Sequence, residues 1–435
     1  MQILMPFLGS RGDVSPGVAL AIELQRRDHD VVLGVPANLL QLARDSGVDA
    51  VEMGPDSREL LRSDLVQRRI KSANPVRKWR ALSELGCFGW GELAPQLARY
   101  AATTDVIVSC LLGEEVARAI AERYAVAQVA LHYYPIRRSE STSVVPPAPV
   151  APRLLQHVAD AALERSWRLM TRSGEDAVRS SLHLPPSRTP LPARMIGSGS
   201  LEIQAVDPLL FPGLAEEWGS RRPLVGFLDL DDATHERVDR PTATHDTGLG
   251  SWLSDGKPCV YWGFGSMPVK DPRATVALIR EVSTHLGVRA LVAAGWSDLA
   301  DATEADVRIV DAVDHRTVFP RCAAAVHHGG AGTTAATLRA GIPSFVAWFS
   351  ADQPLWGRRL AACGVGASAP FRTLTAAKAI EILRPLLQPA SRARAAEVAE
   401  SLIPAERAVA ATADLVELAG ARHSSTSQGA IFATP

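Results

Sequence analysis

The chain has 435 residues, 47% of them hydrophobic and 21% charged, which suits two or three packed domains and excludes a disordered polypeptide. A formal net charge of -1 speaks against nucleic acid as the main partner, because a phosphate backbone calls for a basic surface. The five cysteines (Cys87, Cys110, Cys259, Cys322, Cys363) are scattered without metal-ligand spacing. Reduced thiols in a cytoplasm are therefore expected, with no metal site.

Residues 2–8 form a short apolar run that ends in Gly9-Ser10-Arg11-Gly12-Asp13. Residues 14–27 place Val18, Leu20, Ala21 and Leu24 at helical spacing, and residues 30–35 read as a buried strand. Strand, loop, helix and strand in that order predict a parallel α/β sheet, extended by strands at 105–110 and 127–131. The N-terminal run lacks the basic start of a targeting segment. No apolar stretch reaches the roughly 20 residues that span a bilayer.

Between these strands, Arg58, Arg62, Arg68, Arg69, Lys71, Arg77, Lys78 and Arg80 outnumber Glu59 and Asp64. A solvated helix face is a simpler reading of this run than a surface for an anionic acceptor or a membrane. Trp79, Phe88, Trp90, Tyr133, Tyr134 and Trp167 can line an apolar pocket, although core packing explains some of them equally well. His132 ends a predicted strand and is a further pocket candidate. Residues 144–152 are Pro-rich and predict a loop.

Residues 228–250 are rich in Asp, Thr, His, Pro and Gly and predict an exposed linker. Asp229-Leu230-Asp231-Asp232 within it reads as a solvated acidic turn rather than a metal site. The strand pattern restarts at 258–266. It continues with a helix at 274–286 and strands at 290–293, 307–310, 323–327 and 344–347. The expected domains are 1–227, a linker at 228–254, a second domain at 255–421, and a loose tail at 422–435.

The most telling stretch is His327-His328-Gly329-Gly330-Ala331-Gly332-Thr333-Thr334, followed by Asp352-Gln353-Pro354. A strand end, a Gly-rich turn and a helix start together form an anion site. The unpaired first-turn N–H groups and the helix dipole point at the ligand, and an imidazole that can carry charge stands beside them. A carboxylate and an amide just downstream suit sugar hydroxyls. One ligand class satisfies both halves: a nucleotide-sugar. The first loop lacks the G-x-G-x-x-G spacing of a nicotinamide site.

These motifs, in this order, resemble the sterol-type and antibiotic-type glycosyltransferases of the UDP-glycosyltransferase family. The matching set is Gly9 to Val14 with Pro16, then Tyr261-Trp262-Gly263-Phe264-Gly265-Ser266-Met267, Ala294-Gly295-Trp296 and Val313-Asp314-His315 with Phe319-Pro320. It ends with the His328 motif and Asp352-Gln353-Pro354-Leu355-Trp356-Gly357. The resemblance implies an α/β GT-B fold of two facing Rossmann-like domains, acceptor in the first and donor in the second.

It implies that Asp13 is the general base for an acceptor hydroxyl, with Ser10, Arg11 and Gly12 near the donor. Asp13 is also placed to cap the following helix, and the two roles are compatible. His328 is assigned to the diphosphate, and His327 to packing or backbone support. The resemblance places Ala331, Gly332 and Thr333 against phosphate, although Ser is common in the family where this chain has Ala331. Ser266 is assigned to phosphate, Val313 and His315 to the nucleotide base, Trp296 to the base or the core, and Asp352 and Gln353 to the sugar. Trp79, Phe88, Trp90, His132 and Tyr133 are the acceptor-pocket candidates.

The expected activity is inverting transfer of a hexose, glucose first, from a UDP- or dTDP-sugar. The expected acceptor is a hydroxyl of an apolar natural product such as a macrolactam or polyketide antibiotic or a sterol. The nucleotide-sugar is a co-substrate, and no permanently bound cofactor is expected. The alternative is a non-catalytic partner of another glycosyltransferase, which should have lost Asp13 or His328.

Overall fold

The computed structural model describes residues 1–143, 153–243, 248–254, 256–265, 267, 269–295 and 305–431. The chain divides into two compact units. The first holds Met1–Pro208, Pro212–Thr234 and Ile403–Pro435; the second holds Leu209–Phe211 and His235–Leu402.

In the first unit, β1 (Gln2–Pro6), β2 (Asp30–Val35), β3 (Ala50–Glu52), β4 (Val106–Cys110), β5 (Ala127–His132) and β6 (Leu201–Gln204) form one parallel sheet. Their order is β3-β2-β1-β4-β5-β6. Every residue of β4 and β5 is buried, as expected of strands covered on both faces. The order reverses between β1 and β4, which makes the C-terminal ends of those two strands the ligand-binding edge of such a sheet.

The second unit repeats the plan with β7 (Cys259–Gly263), β8 (Arg289–Ala293), β9 (Val307–Val310), β10 (Ala324–His327), β11 (Ser344–Trp348) and β12 (Gly366–Pro370). The order β12-β11-β10-β7-β8-β9 places its switch point between β7 and β10. Alternation along the strands fills two cores. Val260, Trp262, Val292, Val326 and Phe345 pack on one face, and Cys259, Tyr261, Leu291 and Ala325 on the other. The doubly wound α/β class is thus present twice.

Three expectations are corrected. The first helix begins at Arg11, not 14, so Arg11, Gly12 and Asp13 lie in its first turn with Ser10 as N-cap. The stretch 228–250 is not a wholly exposed linker. Leu228 and Leu230 are buried, and Asp232–Ala243 is a helix started by the Asp231 carboxylate, which accepts from the Thr234 N–H at 2.7 Å. The second domain does not extend to 421, nor is 422–435 a loose tail throughout.

Helix Ala405–Ile431 belongs to the first unit, where it packs against helix Arg11–Arg26, β4 and β5. Ala408 and Thr412, and Val409, Ala413 and Val416, bury one stripe of it at spacings of three and four. Arg27 bonds Asp414 at 2.6 Å and the Ala410 carbonyl at 3.1 Å, and His29 bonds Glu417 at 2.8 Å.

Candidate functional site

Asp13 sits where β1 ends, at the switch point of the first sheet. The Ser10 main-chain N–H and hydroxyl both donate to its Oδ2, at 2.7 and 2.8 Å. This is a capping box closed by a carboxylate at the third helical position. Gly9 makes it possible. At φ +116° it adopts a conformation that favours glycine, and a Cβ there would stand 2.5 Å from Asp13 Oδ2.

The Tyr133 hydroxyl donates to the Asp13 main-chain carbonyl at 2.6 Å. Burial raises the Asp13 pKa above its usual value; the two Ser10 hydrogen bonds oppose the shift without cancelling it. The group therefore has a capping contact and the raised basicity that a general base needs.

The pocket candidates separate. Trp79 and Phe88 are exposed, at 42% and 38%. Trp90 is a core residue at 5% and packs beside Gly174. Tyr133 is buried and committed to Asp13. His132, at 1%, lies in a buried polar cluster, with Glu114 Oε1 3.4 Å from its Nε2 and Gln204 3.2 Å from its Nδ1.

Arg137 joins that cluster by bonding both Glu114 and Glu202. Burial pushes the Glu114 carboxyl up, but Arg137 and His132 overcome it and leave it down at about 2. His132 and Trp90 thus serve the interior rather than an open surface. The 144–152 loop lies outside the described residues.

In the second unit, β10 leads through His328, Gly329 and Gly330 into helix Ala331–Arg339, with Gly330 as N-cap. The N–H groups of Ala331, Gly332 and Thr333 precede the first intrahelical bond, Thr334 N–H to the Gly330 carbonyl at 2.9 Å. Ala331 and Thr333 are half-buried and Gly332 is exposed. The Thr334 hydroxyl is buried in this turn without a partner.

The His328 ring lies between two glycines. A Cβ on Gly330 would approach its Nε2 to 2.6 Å, and one on Gly265 its Cε1 to 2.9 Å. Gly265 also holds φ +57°, which disfavours any side chain there, whereas at Gly330 a Cβ would have to displace the ring. Burial pushes the His328 pKa down to about 4, against a smaller opposing pull from the Gly263 carbonyl. The resting imidazole is therefore neutral, a hydrogen-bonding group. His327 is fully buried, and its Nδ1 accepts from the Gly329 N–H at 3.1 Å, which shapes the turn.

The loop after β11 touches this turn, since a Cβ on Gly329 would lie 3.2 Å from the Gln353 carbonyl. Ala351 holds φ +59°, a left-handed conformation rare for alanine, and Asp352 then N-caps helix Gln353–Ala362. Gln353 Oε1 accepts from the Phe349 and Ser350 N–H groups at 2.7 and 3.2 Å. Two main-chain donors fix the amide, so its Nε2 end is the one left to donate to a ligand.

Val313 and His315 are half-buried beyond β9. His315 stacks on Phe319 at 4.3 Å and meets the Tyr261 hydroxyl at 3.3 Å. Ser266 and Trp296 lie outside the described residues.

The structure thus gathers Ser10 to Asp13 at one sheet edge, and His328 to Thr333 with Asp352 and Gln353 at another. Sequence reading missed Gly265 as a wall for His328, the Thr334 hydroxyl, Trp356, and the Glu114–Arg137 cluster. Of these, Gly265, Thr334 and Trp356 lay inside motifs already singled out. Among the described residues no group of three or more His, Cys, Asp or Glu stands ready to hold a metal, and no helix is long and apolar enough to cross a membrane.

Two Rossmann-type sheets, with a glycine turn and a helix N-terminus at the second switch point, fit the GT-B fold. Comparison with known proteins agrees. Residues 3–86 match the glycosyltransferase family 28 N-terminal domain, and residues 282–418 match the erythromycin biosynthesis protein CIII-like C-terminal domain.

The uncharacterized glycosyltransferase Rv1524 of Mycobacterium tuberculosis is 40% identical over 424 residues, covering 97% of this chain and 100% of that one. The sterol 3-beta-glucosyltransferase UGT80A2 of Arabidopsis thaliana is 29% identical over 378 residues, covering 85% of this chain and 58% of that one. The fold of the Streptomyces sp. SF2575 glycosyltransferase SsfS6, complexed with thymidine diphosphate, superposes with a TM-score of 0.58 at 19% identity, covering 96% of this chain and 99% of that one. The chain belongs to the GT-B glycosyltransferases of the UDP-glycosyltransferase family.

Proposed function

We propose that the protein is an inverting glycosyltransferase. It moves a hexose, glucose first, from a UDP- or dTDP-sugar to a hydroxyl of an apolar natural product such as a macrolactam or polyketide antibiotic or a sterol. The observation that carries this reading is Asp13. A carboxylate whose basicity is raised by burial stands at the switch-point edge of one sheet, in a chain whose other sheet leads through a glycine turn into a helix N-terminus.

In this reading Asp13 takes the proton of the acceptor hydroxyl. The acceptor oxygen attacks the anomeric carbon as the bond to the β-phosphate oxygen breaks, and a single displacement inverts the anomer. Negative charge grows on the departing diphosphate. The Ala331, Gly332 and Thr333 N–H groups, the Thr333 hydroxyl and His328 are placed to meet it. Val313 and His315 are assigned to the base, with Ser266 and Trp296 joining the donor set by resemblance.

Asp352 can only accept, and the Gln353 Nε2 can only donate. The pair therefore suits one sugar hydroxyl that donates and one sugar oxygen that accepts. The helix dipole with its N–H groups, and hydrogen bonds from Thr333 and His328, supply the stabilisation that a cation would otherwise bring. Chelation by EDTA is accordingly expected to leave turnover unchanged, and a rate restored only by added Mg²⁺ would refute that. All five cysteines are free thiols, which suits the reducing cytoplasm.

The relatives named for sterol glucosylation and erythromycin biosynthesis support the choice of acceptor class. The test is incubation with UDP-glucose or dTDP-glucose and a panel of apolar aglycones, read by product mass. Gain of one hexose, lost in Asp13→Ala, is the expected outcome. Absence of product, with no thermal stabilisation by UDP or dTDP, would favour a non-catalytic partner protein instead.

A further inference from the structure

Asp352 is held by a buried indole. The Trp356 Nε1–H donates to Asp352 Oδ2 at 2.7 Å, one helical turn away along Gln353–Ala362. Trp356 is fully buried, so its ring cannot swing, and its N–H must find a partner inside. Phe211 meets the ring edge-on at 5.8 Å and 77°, and the Arg359 guanidinium lies 5.1 Å over Phe211. Phe211 comes from far away in sequence, in the short stretch Leu209–Phe211 that belongs to the second unit.

We propose that Trp356, braced by Phe211, is a positioning residue that sets the Asp352 carboxylate for the sugar of the donor. The inference rests on the reading of Asp352 as a sugar-binding residue. The physical argument is preorganisation. A carboxylate on a turn strained at Ala351 has other orientations within reach, and a charge-assisted N–H···O bond from an immobile ring selects one before the sugar arrives. Gln353 is fixed by main-chain donors in the same loop, so both halves of the clamp are oriented by the protein rather than by the ligand.

The test compares nucleotide-sugar with nucleotide alone, using UDP-glucose and dTDP-glucose against UDP and dTDP in calorimetric titrations. Trp356→Phe keeps the ring and its place against Phe211 but removes the N–H. It is expected to weaken nucleotide-sugar binding about tenfold while leaving the nucleoside diphosphate within about twofold. Phe211→Leu is expected to move the same ratio about threefold. Asp352→Ala should match or exceed Trp356→Phe, and the double variant should bind no more weakly than Asp352→Ala alone, because one residue acts through the other.

Unchanged nucleotide diphosphate affinity certifies the fold of each variant. Wild-type sugar affinity in Trp356→Phe, or losses that multiply in the double variant, would overturn the positioning role while leaving the clamp intact. A silent Asp352→Ala would instead overturn the clamp reading itself.

Discussion

In the proposed mechanism Asp13 carries two duties. Its carboxylate closes a capping box with Ser10, and the same burial that orders it raises its pKa. A base must be ionised to work, so kcat/KM is expected to fall as pH drops through that raised pKa. The acid limb should lie above the ordinary aspartate range of about 3.9. Asp13→Asn still accepts from Ser10, so it should fold normally yet lose about 10²–10⁴ in turnover. A variant with wild-type turnover would remove Asp13 from the chemistry.

His328 and His327 make a second pH-dependent pair. Their pKa values are pushed by burial from 6.5 to about 4 and about 3. A base whose folded pKa is depressed stabilises the fold above its unfolded value. That contribution is lost as pH falls from about 6.5 towards 4. A diphosphate beside His328 reverses the shift, so nucleotide binding should take up protons and tighten as pH falls from 8 to 6. Titrations in buffers of different ionisation enthalpy measure the uptake, and His328→Gln should abolish it. Equal affinity across that range would mean that His328 meets the phosphate as a neutral donor and takes up no proton.

At the level of elements, the strand–glycine–helix unit is the device that places chemistry, and its geometry is testable at Gly330. Gly330→Ala puts a methyl 2.6 Å from His328 Nε2, so the ring must move. Dihedral strain is small there, because Gly330 has ordinary extended angles, and the fold should survive. Nucleoside diphosphate affinity is expected to drop about tenfold or more, as for loss of a charged hydrogen bond. Wild-type affinity would mean that the ring has no fixed role.

These elements were largely legible in the sequence because burial on both faces writes strands as apolar runs, and glycine marks the turns. β10 and the existence of a helix beyond its glycine turn came from just that signal, although the helix starts at Ala331, three residues before the expected Thr334. Less visible were contacts between remote residues. Nothing local announces that Tyr133 holds the Asp13 carbonyl, that Phe211 braces Trp356, or that Gln353 turns its oxygen inward. His132 and Trp90 looked like pocket residues because an aromatic ring at a strand or helix end has the same local pattern whether it faces a ligand or a core. The 228–250 stretch misled for a related reason. Its polar composition masked the buried Leu228 and Leu230, which anchor it between polar neighbours.

At the scale of the whole molecule, the chain leaves its first unit, builds the second, and returns. The returning helix Ala405–Ile431 is no appendage. Ala408, Thr412, Ala413 and Val416 are fully buried, the Ile403 N–H bonds Asp207 at 2.7 Å, and Arg27 reaches Glu23, Asp414 and Glu417 together. The first unit's core is therefore completed by residues that follow the second unit in sequence, and that unit cannot reach its final stability before the second has been synthesised.

Removing residues 405–435 should expose the flank of helix Arg11–Arg26 and lower the melting temperature of the first unit by far more than any surface change. Arg27→Ala, which loses only a partly exposed ionic network, should cost about 1 kcal/mol, or about 2–4 °C. Calorimetry on the intact chain, Arg27→Ala and the truncation measures both. If the truncated chain melts with the intact one, the helix merely covers a first unit that is already complete. If it melts far below, stability of the unit that carries Asp13 depends on the far end of the chain.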